Sequence, residues 1–179
     1  MKLSPNLLRS IIKQEMDRLV EDTKRRAKDF ACPPATQNLK LNTKNRDSAI
    51  KAKHIQYGPL NPSDKDYWER LADHWSTTPE AAQESKCSNC AAFDISPRMS
   101  ECMPGELMTW DEIKDAMDEG RGWETLGYCW MHHFKCHSAR TCYTWAAGAG
   151  GEPIIDDATS YDWHDRSGLN AQGGSGEGR

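Results

Sequence analysis

With 179 residues the chain is long enough for one domain of ordinary size, yet only 37% of it is hydrophobic, which argues against a large apolar core. Something else must help hold the fold, and seven cysteines offer a metal or disulfides for that purpose. The net charge of −4 conceals an asymmetry, because residues 1–56 carry 13 Lys/Arg against 6 Asp/Glu and the remainder 10 against 21; without aromatic residues placed for stacking, the basic part reads as a solvated arm before it reads as a nucleic-acid contact.

Residues 1–28 are expected to form an amphipathic docking helix. Leu7, Leu8, Ile11, Ile12, Met16, Leu19 and Val20 recur at helical spacing, with Ser4 and Pro5 as N-cap and first-turn residues. So narrow an apolar stripe needs a cover, either its own domain, another protein or a second copy. Arg9, Lys13, Glu15, Asp17 and Arg18 break any leader-like apolar run, and no stretch reads as a membrane span. A reducing cytoplasm is therefore where the chain is expected to be made and kept, and clustered cysteines in such a compartment bind metal more often than they pair.

Residues 29–62 are polar, punctuated by "CPPATQ" and "YGPLNPSD", and read as an extended arm in which Cys32 is a bystander thiol. A helix follows from about Asp64 to Trp75, with Tyr67, Trp68, Leu71, Ala72 and Trp75 on its inner face and His74 as a surface or packing residue. Thr78 and Pro79 start a short second helix that ends near Ser85. Thr109 and Glu112 form a capping box, and Gly120 terminates the helix it opens. Pro153, Ile154 and Ile155 are expected to dock as a short strand, and residues 156–179 to be a flexible Gly/Ser/Asp-rich tail.

The chemistry lies in residues 63–155, where Cys87, Cys90, Cys102, Cys129, Cys136 and Cys142 follow one another as C-x2-C, x11, C, x26, C, x6, C, x5, C. Structural zinc sites place four ligands as two close pairs, one pair per tight turn. Here there is one such pair and then scattered cysteines, an arrangement suited to a cubane iron-sulfur cluster whose irons accept thiolates from different directions. Phe93, Trp110, Trp123, Tyr128, Trp130, Phe134, Tyr143 and Trp145 are numerous enough to wall such a cluster from water, and Lys86, Arg98, Lys135 and Arg140 are candidates to balance its negative charge. Three alternatives compete for parts of the block: zinc bound by Cys136 and Cys142 with His132, His133 or His137, a Cys136–Cys142 disulfide formed after release from a cell, or free thiols.

The motifs "CSNCAAF", "CMPGELM" and "GYC" resemble those of high-potential iron-sulfur proteins. That family has a C-x-x-C followed by an aromatic residue, a cysteine before a Pro-Gly turn, and a cysteine preceded by glycine and an aromatic. The resemblance implies that Cys87, Cys90, Cys102 and Cys129 hold a [4Fe-4S] cluster. The stretch before Cys129 is longer than in that family, and "TCYTW" also resembles the family's ending, so Cys142 or Cys136 competes for the fourth place. A broader resemblance, through "KNRDSAI", "YWERLADHW" and "FKCHSARTCYTW", is to a six-cysteine block encoded by marine tailed bacteriophages; it implies a virion protein whose partners are other virion proteins or copies of itself.

The expected fold is thus a small, irregular, metal-stabilised domain with short α-helices and little β structure, preceded by the amphipathic helix and extended arm. The expected function is structural, with the cluster in place of a missing core. A soluble electron carrier and a zinc module contacting DNA through the basic arm are the rivals. No phosphate loop, H-E-x-x-H or framed carboxylate pair points to an enzyme.

Overall fold

The computed structural model describes residues 5–29, 31–56, 58, 60–104 and 108–167. The chain divides into two units, Met1–Ala31 and Cys32–Arg179, and the second contains every cysteine.

The first unit holds helix α1, Pro5–Asp29. Its seven apolar stripe residues are all exposed, from 46% for Ile11 to 60% for Met16, so the helix presents an interaction surface. Pro5 occupies the first helical position, where its fixed φ favours the turn and its missing N–H is not needed. Ser4, expected as the N-cap, lies outside the described residues.

In the second unit the expected extended arm is mostly helical. After α2, Pro34–Gln37, comes α3, Leu39–Lys51, opened by Asn38, whose Oδ1 accepts the Leu41 N–H at 3.1 Å. The sequence of α3 lacks an apolar period because polar side chains seat it: Asn42 Oδ1 accepts the Lys135 N–H at 2.7 Å and Asn45 Nδ2 donates to the His133 carbonyl at 2.7 Å.

Helix α4, Lys65–Trp75, starts as expected at Asp64, whose Oδ1 accepts the Tyr67 N–H, and α5, Pro79–Glu84, starts at Thr78. Tyr67, Trp68, Leu71 and Ala72 are buried and pack with Ala82 into a small core, flanked by Leu60, Trp75 and Tyr143. A 3-10 turn at Cys87–Asn89 then leads to β1, Phe93–Asp94. Helix α6, Pro97–Cys102, is capped by Ser96, and α7, Trp110–Asp118, has the expected reciprocal Thr109–Glu112 box and ends at Gly120 with φ +66°. Strands β2, Leu126–Cys129, and β3, Phe134–His137, complete an antiparallel sheet in the order β1-β2-β3. Ile154 bridges to this sheet beside Asp94, as expected of the Pro153–Ile155 segment, with its N–H donating to Phe93 O at 2.8 Å and its carbonyl accepting from Ile95 N–H at 3.0 Å.

The tail expectation is corrected over Asp157–Arg166, which form helix α8 with Ser160, Tyr161 and His164 buried. Its ordering comes from residues distant in sequence. Ser160 Oγ donates to Asp94 Oδ2 at 2.6 Å, and Asp157 Oδ1 accepts the Arg98 N–H at 3.0 Å. The remaining tail residues, 168–179, lie outside the described residues.

Cys32, expected to be a bystander, forms a disulfide with Cys102, 70 residues away. Closing a loop of that length restricts the unfolded chain, for a chain-entropy stabilisation of about 4 kcal/mol. The bond ties the entry of the second unit to the end of α6.

Candidate metal centre

The two members of the C-x2-C pair are placed by backbone bonds around the 3-10 turn. Cys87 N–H donates to Arg140 O at 2.6 Å and Ser88 N–H to Ser138 O at 2.9 Å, while Cys90 N–H closes the turn on Cys87 O at 3.0 Å. Trp145 Nε1 donates to Lys86 O and to Asn89 Oδ1, bracing the turn from outside.

The next two cysteines come from the β2–β3 hairpin. In its register Gly127 faces Cys136, and Cys129 faces Phe134, while Phe93 of β1 faces Cys129. Side chains alternate along strands, so Cys129, Cys136, Phe93 and Phe134 share one side of the sheet. Gly127 belongs to the same side, where a Cβ would lie 2.7 Å from Phe93 Cε2 and 2.9 Å from Cε1; a side chain there would displace the ring from the floor of the site.

Cys142 arrives from the loop after β3, with its Sγ 3.3 Å from Thr144 Oγ1. Cys87, Cys90, Cys129, Cys136 and Cys142 are all unpaired thiols, four of them buried. Cys87 and Cys136 touch, Sγ to Sγ, at 3.3 Å. Cys87, Cys129, Cys136 and Cys142 are each shifted by thiols beside them. Cys87 is raised well above the ordinary thiol value, first by its hydrogen bond to Cys136 and then by burial and by Cys136, Cys129 and Cys142. Burial, then Cys136, Cys142 and Cys90, raise Cys129, and burial first raises Cys142. Cys136 is lowered, first by its hydrogen bond with Cys87, against its burial, and then by Arg140 nearby.

A cavity of about 530 Å3 opens onto Cys87, Cys129, Cys136 and Cys142. Arg46, Lys135 and Arg140 line it, together with Leu126, Phe134, Ile55, Gln56 and Gly58, and among the described residues no Asp or Glu does. Arg140 also straps Gln56 and Gly58 down, donating from Nη2 to Gln56 O at 2.6 Å and from Nη1 to Gly58 O. The lining is therefore cationic over an apolar, thiol-bearing floor, which suits an anionic guest.

Of the expected ligands the structure gathers Cys87, Cys90 and Cys129 together with the competing Cys136 and Cys142. It removes Cys102, whose sulfur is spent on Cys32. Lys135 and Arg140 are at the site as expected, but Arg98 lies over the Tyr161 ring at 4.2 Å and Lys86 is exposed at the outer side of the turn. No protein-family model, curated protein or solved structure matches the chain.

Of the histidines expected for zinc, His132 and His137 line the cavity with the cysteines, and each has a hydrogen bond at one ring nitrogen. His132 Nε2 bonds Thr144 Oγ1 at 2.8 Å, its ring stacks on His54 at 5.5 Å, and burial, with His54 and His133, pushes it down to about 4. His137 Nδ1 accepts the Ala139 N–H at 3.2 Å. Among the described residues no group of three or more His, Cys, Asp or Glu side chains is set to hold a metal ion. Cys87, Cys129, Cys136 and Cys142 line one cavity and Cys90 ends the turn that Cys87 opens; thiolates are the donors that a cubane iron-sulfur cluster takes, so the set is compatible with that group in the chemistry of its donors.

Arg46 and the Ile55–Gly58 segment were missed in the sequence. Neither carries a local signal, since both reach the site only because α3 is hydrogen-bonded to β3.

The raised thiols make the metal-free protein sensitive to alkali. Cys87, Cys129 and Cys142 titrate above the ordinary 9.0 when folded, so their contribution to stability is fully present below 9.0 and is lost as pH rises through the raised values. Thermal melts of the metal-free protein from about pH 8 to about pH 10.5 should show a Tm falling above about pH 9, more steeply than in metal-loaded protein whose thiolates are already ligated. Equal slopes for the two forms would contradict it.

Proposed function

We propose that the chain is an iron-sulfur structural protein. In this reading a [4Fe-4S] cluster, bound by four of the five gathered thiols, fixes the cysteine domain, and α1 fastens that domain to a larger assembly, the virion of a tailed phage. The carrying observation is that four unpaired cysteines from three separate segments, Cys87, Cys129, Cys136 and Cys142, line one cavity with Arg46, Lys135 and Arg140 and, among the described residues, with no carboxylate, while the unpaired Cys90 lies at the end of the same turn as Cys87.

When bound, the cluster supplies metal-thiolate bonds that cross-link the 3-10 turn, the hairpin and the following loop. The chain's own residues supply the rest. Phe93 packs in one buried cluster with Cys87 and Cys90, Phe134 lines the cavity, Arg140 donates to the Gln56 and Gly58 carbonyls, and the lining cations would offset the negative charge of a four-thiolate cluster. Three of the cysteines that the resemblance to high-potential iron-sulfur proteins points to, Cys87, Cys90 and Cys129, are in the gathered set. The exposed stripe on α1 favours attachment over a diffusing electron carrier, which has no need of it. The Cys32–Cys102 disulfide accords with a particle that leaves the reducing cytoplasm.

Metal and acid-labile sulfide analysis of protein purified without oxygen tests the reading. About four irons and four sulfides per chain, with a brown chromophore, are expected. One or two zincs with no sulfide, or no metal at all, would overturn it.

A further inference from the structure

Two of the unpaired cysteines already touch, and both face open space. Cys87 and Cys136, 49 residues apart in the chain, lie Sγ to Sγ at 3.3 Å, and both line the cavity of about 530 Å3. The backbone holds them side by side. Cys87 N–H donates to Arg140 O at 2.6 Å and Ser88 N–H to Ser138 O at 2.9 Å, which docks the start of the 3-10 turn on the chain just beyond β3. A disulfide needs its sulfurs at about 2.05 Å, so the pair must close by about 1.2 Å, and the adjoining cavity leaves room for the sulfurs to turn. The cavity is also of the size that takes small molecules, about 300–1,000 Å3. The two thiols are not equivalent, because Cys136 is partly exposed and Cys87 is buried. An accessible thiol meets an oxidant first, and a second thiol beside it resolves the adduct.

We infer that Cys87 and Cys136 form a redox-active dithiol that exchanges with small-molecule disulfides entering the cavity, Cys136 attacking and Cys87 resolving. The inference concerns the cavity without a metal and does not rest on the cluster reading. Cys136, as thiolate, attacks one sulfur of the small disulfide; that S–S bond breaks, a mixed disulfide forms on Cys136, and one small thiol leaves with the proton that Cys136 gave up. Cys87 then attacks Cys136 Sγ, its proton goes to the second small thiol as that leaves, and the Cys87–Cys136 bond closes. Two protein thiols are thereby oxidised by two electrons, and one small disulfide is reduced to two thiols. The closed bond ties the 3-10 turn to β3.

The test treats the full chain, freed of metal by a chelator and handled without oxygen, with oxidised glutathione. Remaining thiols are then alkylated with iodoacetamide in denaturant, and the peptides are mapped without reduction. One new disulfide, Cys87–Cys136, is expected, with Cys90, Cys129 and Cys142 alkylated. No new disulfide, or pairings scattered over the five cysteines as an unfolded chain would give, overturns the inference. In Cys87→Ser the reaction should stop with glutathione on Cys136, and in Cys136→Ser the consumption of oxidised glutathione should slow at least about tenfold. A Cys87→Ser protein with no adduct on Cys136, or a Cys136→Ser protein that reacts within about twofold of the unaltered rate, overturns the assigned roles. The map of the unaltered protein decides the matter where a variant does not fold. Iron content before chelation reports on the cluster reading and the thiol map on this one, so the two failures are told apart.

Discussion

Changing Cys90 and Cys129 together to serine is expected to abolish iron binding and to leave the second unit without a cooperative melt. The two residues belong to different segments, the turn after α5 and the end of β2, so their loss breaks the cross-link on both sides. Structural metal sites in small domains contribute about 10–16 kcal/mol of apparent binding energy, whereas net domain stability is about 5–15 kcal/mol. Among the described residues, one small apolar cluster gathers around Phe93, Ile95 and Ile113 beside Cys87 and Cys90, and another lies between α4 and α5. If the proposed iron-sulfur cluster is bound, its loss is expected to exceed what these apolar clusters supply. Circular dichroism melts together with iron analysis decide the matter, and a double variant that melts cooperatively within about 1 kcal/mol of the unaltered protein would refute metal-dependent folding.

The second large effect is expected at Asp94, which no motif marks. It is fully buried, with Oδ1 accepting the Ser96 N–H at 2.9 Å and Oδ2 accepting Trp130 Nε1 at 2.7 Å and Ser160 Oγ at 2.6 Å. Burial raises its carboxyl above the usual range against the lowering effect of those bonds, led by Ser160. Asp94→Ala leaves three buried donors without an acceptor, at about 1–3 kcal/mol each when unsatisfied, so a loss of about 3–5 kcal/mol is expected. Asp94→Asn should lose nearly as much, because an amide nitrogen cannot accept from whichever donors it faces. Urea denaturation reads the loss directly, and a change below about 1 kcal/mol in both variants would show that the network does not anchor α8.

Both effects bear on what could be read before the fold was seen. Helices α4, α5 and α7 were legible because their signals are local: Asp64, Thr78 and the Thr109–Glu112 pair bond N–H groups within one turn of themselves. The stripe of α1 was legible as a period of apolar residues, and its exposure matches the expectation of a docking face. Helices α3 and α8 were misread as an arm and a tail because composition alone suggests solvated chain. They are ordered by partners far off in sequence, Asn42 by Lys135 and Ser160 by Asp94.

The cysteine block divides along the same line. Residue type and spacing led to the proposal of a soft, multi-thiolate chemistry between Cys87 and Cys142, because ligand identity is a property of single side chains. Which thiols meet was a property of the fold. Cys102 is drawn away by Cys32 across 70 residues, while the β2–β3 register brings Cys136 against Cys87, 49 residues distant. Sulfur chemistry acts over a few ångströms and sequence separation carries no such distance, so only the packing of α6, the hairpin and the 3-10 turn could choose the partners.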